Sequence, residues 1–195
     1  MAKRILIIDG HPDPRAERYV HALARAYREG AATAGHELSD VIVSELEFPF
    51  LRTDEDFRSG KPPRSIRAAQ ELIARADHLV ILFPLWLGSM PAMLKAFFEQ
   101  VLRPGFAFSE GAGGRFPKKL LAGKSARIVV TMGMPAFFYK WFYRAHSLKN
   151  LERNILAFCG IDPVHVTIAG MVEGMSQRKR EALLDSMRRL GAAAR

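Results

Sequence analysis

The sequence predicts a three-layer, doubly wound α/β domain on a five-stranded parallel sheet with strand order 2-1-3-4-5. Three observations carry that expectation. Short apolar runs alternate with helical periodicities in the order β-α-β-α-β-α-β-α-β-α. The runs are continuous rather than alternating, as in strands covered on both faces. Five such units in 195 residues suit one open sheet with right-handed crossovers and one reversal of strand order.

The first strand is the run Ile5–Ile8, ending at Asp9 and Gly10. Asp13 is then expected to cap a helix with Pro14 at its first position. Val20, Leu23, Ala24, Tyr27 and Ala31 share one face of that helix, and Gly35 follows its end. A weaker strand is expected over 37–43 and a second helix over 65–76. The third strand, Leu79–Phe83, stops at Pro84. Ser89 is expected to cap the next helix, with Pro91 in its first turn and Met90, Leu94, Phe97 and Val101 as its stripe. That helix ends before Arg103-Pro104-Gly105. The fourth strand is Ile128–Met132, ending at Gly133, and the fifth is Val164–Ala169, ending at Gly170. Helices fit 148–158 and 176–190. Two stretches, 44–64 and 103–123, lack strong periodicity, and loops of that length tend to be functional. The whole chain, 1–195, is expected to form a single domain.

Composition narrows the function classes. Hydrophobic residues make up 49% of the chain and charged residues 25%, which argues against disorder. The single cysteine, Cys159, allows neither an intrachain disulfide nor a CxxC metal site. The apolar run near the start is too short for a signal peptide. The longest uncharged stretch, His78–Leu94, is broken by Pro84, Gly88 and Pro91, so no membrane insertion is expected. A reduced, cytoplasmic protein is the expectation. The net charge of +9 is uneven: residues 1–60 hold 8 Lys/Arg against 11 Asp/Glu, so the remainder is strongly basic. No dense basic-aromatic run signals nucleic acid; the nearest, Arg115-Phe116-Pro117-Lys118-Lys119, is short. Attraction of an anionic small molecule is the best use of the charge.

Ligands of open parallel sheets bind outside the carboxyl ends of the strands. Three segments lie there. The first, Gly10–Arg18, enters a helix N-terminus, where backbone N–H groups favour a phosphate, and His11, Arg15 and Arg18 can add contacts. It lacks GxGxxG, and the later Gly123-Lys124-Ser125 precedes a strand, so neither dinucleotide nor P-loop motif is indicated. The second, Pro84–Pro91, is apolar, with backbone donors near Gly88. The third runs from Thr131 to Pro135. Beyond it, Phe137–Tyr143 holds six aromatics in seven positions. So many cannot all face one core; some must line a pocket or a subunit contact.

These residues resemble the flavodoxin-like NAD(P)H:quinone oxidoreductases, which include mammalian and bacterial quinone reductases and ancillary flavoproteins of potassium-efflux systems. The resemblance runs from about Arg4 to Gly170. Its most specific part is Phe83–Phe108, reading FPLWLGSMPAMLKAFFEQVLRPGFAF. The family pattern there is FPL, two or three aromatics, a small residue, P-A-x-L-K and a PGFAY-like close. Ile5–Pro12 is similar to the family's strand and phosphate loop, and Thr131-Met132-Gly133 to its third loop.

The resemblance implies a bound flavin, with FAD the expectation and FMN the alternative, and NAD(P)H as reductant. His11 and the helix start would meet the phosphate. Pro84, Leu85, Trp86, Leu87 and Gly88 would face the isoalloxazine ring, and Thr131 and Gly133 its other edge. Tyr139 stands six residues past Gly133, as a hydride-assisting tyrosine does in the mammalian enzymes. His146 is the candidate for the accompanying histidine, one position out of register. Hydride would pass from NAD(P)H through flavin N5 to a quinone or similar acceptor. A homodimer is implied, with the flavin near the subunit contact; an ancillary, regulatory role on a membrane transport system is the alternative. The chain departs from the pattern at Ala16 and Arg18, where the family has serine and asparagine, and at Trp86, Leu87 and Gly88, where the aromatics are shifted. His11-Pro12-Asp13 also resembles the start of zinc-dependent deacetylases, but Pro14 replaces their second aspartate.

Overall fold

The computed structural model describes residues 1–109 and 117–195. Arg115 and Phe116 of the short basic run lie outside the described residues. Strands β1 (Arg4–Asp9), β2 (Glu37–Ile42), β3 (His78–Pro84), β4 (Ser125–Thr131) and β5 (Val164–Ala169) form one sheet. All neighbours are parallel and the order is β2-β1-β3-β4-β5, as expected. The helices are α1 (Tyr19–Thr33), α2 (Asp54–Arg58), α3 (Arg64–Arg75), α4 (Ala92–Val101), α5 (Ala136–Trp141), α6 (His146–Lys149), α7 (Ala157–Cys159) and α8 (Gln177–Ala192). A π-helical segment, Asn150–Leu156, joins α6 to α7.

The continuous apolar runs are divided residue by residue between two layers. Ile5, Ile7, Val80, Leu82 and Val129 pack beneath α1 and α8, with Val20, Leu23, Tyr27 and Met187. Leu6, Ile8, Leu79, Ile81, Phe83, Ile128 and Val130 face the opposite layer, against Ile66, Leu94, Phe97 and Leu151. Strand side chains alternate faces, so a strand buried on both needs apolar residues at every position.

Two helix starts differ from expectation. α1 begins at Tyr19 after Arg18, whose side chain caps nothing. Asp13 lies in the preceding loop, its carboxylate held by Arg15 and Arg18. α4 begins at Ala92, not after Ser89. Pro91 restricts Met90 to extended backbone, which excludes a helical turn beginning at Ser89. α2 was not expected, yet its signal was in the sequence. Thr53 Oγ1 accepts the Asp56 N–H at 3.0 Å, and the Asp56 carboxylate accepts the Thr53 N–H at 3.1 Å. That is a capping box in a five-residue helix too short for periodicity to reveal.

At the amino end of the sheet, His78 is buried with Nδ1 2.8 Å from Ser125 Oγ. Its Nε2 has no hydrogen-bond partner among the described residues. Burial, then the nearby charges of Lys3 and Arg127, pushes its pKa down to about 4. Folded His78 therefore stays neutral between pH 6.5 and 4, where the unfolded chain takes up a proton. Stability should fall across that window, by roughly 3 kcal/mol in total. Urea unfolding of His78→Asn at pH 7, 5.5 and 4 should show a flatter profile than the parent. Equal slopes would remove His78 as the cause.

Candidate functional site

The loops after β1, β3 and β4 meet at the carboxyl edge of the sheet. Gly10 lies tight in the first: its N–H donates to the Leu82 carbonyl at 2.8 Å. A Cβ there would sit 2.6 Å from Leu94 Cδ2. Asp9 Oδ1 accepts the His11 N–H at 3.1 Å, so this carboxylate caps the strand-end loop. His11 Nδ1 accepts the Asp13 N–H at 3.0 Å, which places the ring proton on Nε2. Burial, reinforced by neighbouring His21, lowers the His11 pKa, so the ring is a neutral donor.

Asp13 counters the cations expected to meet an anion. Its carboxylate takes Arg15 Nη2 at 2.6 Å and Arg18 Nε at 2.7 Å. The Arg15 N–H and guanidinium hold its carboxyl below the usual range. An incoming phosphate must compete with Asp13 for both guanidinium groups. Asp13→Asn is therefore expected to strengthen phosphate binding to this loop about tenfold, since a charge-assisted contact is worth about 1.5–3 kcal/mol. Isothermal titration with a phosphate-bearing ligand measures this; weaker binding would mean that Asp13 organises the loop instead. The amides of Ala16 and Glu17 have no backbone partner among the described residues and add two donors. Ala16 also lines a cavity of about 370 Å³ beside the loop, together with Pro14, His21, Arg25 and Glu45.

The second loop is a tight turn. Trp86 and Ser89 exchange N–H···O bonds of 2.8 and 2.9 Å. Leu87 and Gly88 both have positive φ, +46° and +76°. This is a type I′ turn, which needs two left-handed residues and here strains a leucine. The main-chain donors expected along Leu85–Gly88 are thus narrowed. Leu85 N–H goes to the Thr131 carbonyl at 2.8 Å, and Trp86 N–H to Ser89. Leu87 and Gly88 keep theirs free among the described residues. Pro84, the last residue of β3, has no N–H to give. Trp86 stands edge-on to His11 with ring centroids 6.1 Å apart, joining the second loop to the first.

In the third loop, buried Thr131 holds Leu85 through its carbonyl, and Met132 N–H is taken by Ala169. Gly133 faces open space: among the described residues an added Cβ would meet only Glu173 Oε1, at 3.9 Å. Between the second and third loops lies a cavity of about 400 Å³ lined by Leu85, Leu87, Gly88, Met132, Gly133, Tyr139 and Tyr143. Tyr139 is buried; its hydroxyl lies beside Ser147 and the Leu148 backbone without a hydrogen bond of good geometry among the described residues, and burial raises its pKa more than those neighbours lower it. His146 is exposed at the start of α6 and does not line the cavity. The aromatics of the segment divide as composition required. Tyr139 is buried and the other five are exposed, Phe138 and Phe142 stacking on each other at 5.1 Å.

The structure thus gathers His11, Ala16 and Arg18 on the first loop, and Leu85, Leu87, Gly88, Gly133 and Tyr139 around the apolar cavity. Sequence reasoning missed His21, which lies behind His11 on the first turn of α1. Its signal was a polar residue on the helix's apolar face, next to the strand-end Asp9.

A doubly wound sheet with an anion-receptive loop and an apolar cavity at its carboxyl edge has the architecture of flavodoxin-like proteins. The chain belongs to the flavodoxin-like fold family, whose model matches residues 3–191. An uncharacterized NAD(P)H oxidoreductase of Haemophilus influenzae is 27% identical over 184 residues, 92% of this chain and 90% of that one. The FMN-dependent NADH:quinone oxidoreductase of Methylobacterium radiotolerans is 30% identical over 67% of this chain and 62% of its own length. The glutathione-regulated potassium-efflux system ancillary protein KefG of Cronobacter sakazakii is 44% identical over 97 residues, 49% of each chain. Among solved structures, Smu.1420 of Streptococcus mutans superposes with a TM-score of 0.79 at 26% identity, covering 97% of this chain and 99% of that one. No helix among the described residues is long and apolar enough to cross a membrane.

Proposed function

We propose that this protein is a flavin-dependent NAD(P)H oxidoreductase that binds flavin mononucleotide and reduces a quinone-like acceptor. The observation that carries this reading is the pairing of an apolar, ring-sized cavity with an anion-receptive loop at one sheet edge, joined through Trp86 and His11. The donor set fits the group. His11 Nε2–H and the Ala16 and Glu17 amides suit a phosphate, and the Leu87 and Gly88 amides suit the polar edge of a flat ring. The absence of any side chain at Gly133 leaves room for that ring.

Bound flavin supplies the hydride chemistry; the chain binds, orients and shields it. Free amides that face a developing negative charge would stabilise the reduced ring. Leu85, Met132 and the Tyr139 ring line the cavity, and the Tyr139 hydroxyl, set beside Ser147 and the Leu148 backbone, is the group we assign to assist transfer. His146, exposed beside this cavity wall, would need to turn inward to take part. The FMN-dependent relative favours FMN over FAD. The 370 Å³ cavity beside the phosphate loop favours FAD as the second reading, because it leaves room for a nucleoside beyond the phosphate.

The exposed aromatics of α5 support a homodimer contact next to the site, which sedimentation would test. The match to KefG supports an ancillary transporter role, which copurification with a membrane transporter would test.

The deciding experiment is the absorption spectrum of protein incubated with FMN or FAD, desalted, then given NADPH without oxygen. A retained band that bleaches supports the oxidoreductase and identifies the flavin. A band that persists points to a binding or regulatory module. No retained band removes the flavin reading.

A further inference from the structure

We propose that His21 is a positioning residue for the cofactor's phosphate: it donates from both ring nitrogens and so fixes the loop that presents His11. The inference rests on the flavin reading above and adds a residue that the family resemblance does not supply.

Both ring nitrogens of His21 have a hydrogen-bond partner. His21 Nδ1 lies 2.5 Å from Asp9 Oδ2, and His21 Nε2 lies 3.0 Å from the Asp13 carbonyl oxygen. A carboxylate and a backbone carbonyl both accept, so both ring nitrogens donate and the ring carries the charge that balances Asp9. Both side chains are buried, and a buried charge persists only when paired. The second oxygen of Asp9 accepts the His11 N–H at 3.1 Å, and His11 Nδ1 accepts the Asp13 N–H at 3.0 Å. Backbone atoms at both ends of the loop, His11 N–H and Asp13 C=O, are therefore held by one ion pair. His11 is left a single free donor, Nε2–H. The His11 and His21 ring centroids are 5.3 Å apart. Neighbouring α1 residues Val20, Leu23 and Ala24 are buried in the layer beneath, so the ring projects from a rigid helix turn.

Riboflavin and FMN separate this role from a general packing role, because riboflavin lacks the phosphate. His21→Gln is expected to weaken FMN by about 10-fold to 100-fold, leaving riboflavin within about twofold. In a His11→Gln background the same change should cost FMN little more, because His21 acts through His11. Equal losses for FMN and riboflavin would overturn the proposal, as would a full additional loss in that background.

If His21→Gln does not fold, Asp9→Asn removes the carboxylate from the pair with little change in shape and should lower the same FMN-to-riboflavin ratio. Imidazole ¹⁵N–¹H spectra of the ligand-free wild type supply an independent reading. Protons on both His21 nitrogens, with His11 protonated on Nε2, support the arrangement, and a single proton on His21 overturns it. Should the wild type retain neither ligand, the flavin reading falls. The spectra then decide alone: Asp9→Asn must disturb the His11 tautomer, and an unchanged tautomer overturns the positioning role.

Discussion

Gly30→Ala is expected to destabilise the protein by roughly 2–3 kcal/mol, lowering the midpoint of thermal unfolding by about 4–12 °C. At Gly30, α1 touches the backbone of α8. An added Cβ would fall 1.9 Å from the Arg188 carbonyl oxygen and 2.7 Å from its Cα. The contact is reciprocal: a Cβ at Gly191 would fall 2.0 Å from the Tyr27 carbonyl oxygen. These clashes are with backbone, so no side chain can rotate aside and the helices must separate. Separation would loosen the layer holding Ile5, Ile7, Leu82 and Val129. Neither glycine has a positive φ. Alanine is the better helix former by about 1 kcal/mol, so intrinsic propensity favours the variant and only the crossing opposes it. Urea unfolding of Gly30→Ala and Gly191→Ala checks this. Stabilities within about 0.5 kcal/mol of the parent would show that the two helices slide apart cheaply.

Gly133→Val should do the reverse, leaving stability nearly unchanged while removing flavin binding. Its φ is not positive and, among the described residues, nothing but Glu173 Oε1 comes within 4 Å of an added Cβ, so the folded chain has room for the side chain. That room belongs to the cavity between the second and third loops. Filling it takes space that a flat ring must occupy. An affinity loss of about 100-fold or more is expected, equivalent to roughly 2.7 kcal/mol, against a stability change within about 0.5 kcal/mol. Flavin fluorescence titration and urea unfolding of the same preparation check both arms. Unchanged affinity would move the ring away from the third loop and remove Gly133 from the site.

Much of this was legible in one dimension. The unbroken apolar runs at Ile5–Ile8 and Leu79–Phe83 announced strands buried on both faces, and each has residues in both core layers. The crowd of aromatics at 137–143 announced that some would be left outside, and all but Tyr139 are. The carboxyl-edge loops followed from topology, because a parallel sheet leaves its strand ends open on one side. The seven-residue π segment broke the 3.6-residue period on which the helix at 148–158 was read.

The amino-acid order by itself determined the fold class, the strand order and which three loops would meet. Those depend on periodicity and chain handedness, which are local properties repeated along the chain. Tertiary structure alone decided how the polar groups pair: Asp13 with Arg15 and Arg18 instead of a helix end, Trp86 with Ser89, and His21 with Asp9 and Asp13. A hydrogen bond is directional and short, so its partner depends on the exact path of the backbone through the loop that carries it, which periodicity does not give. Hydrophobic burial is non-directional and tolerates many sequences, so its pattern can be read before the fold is known.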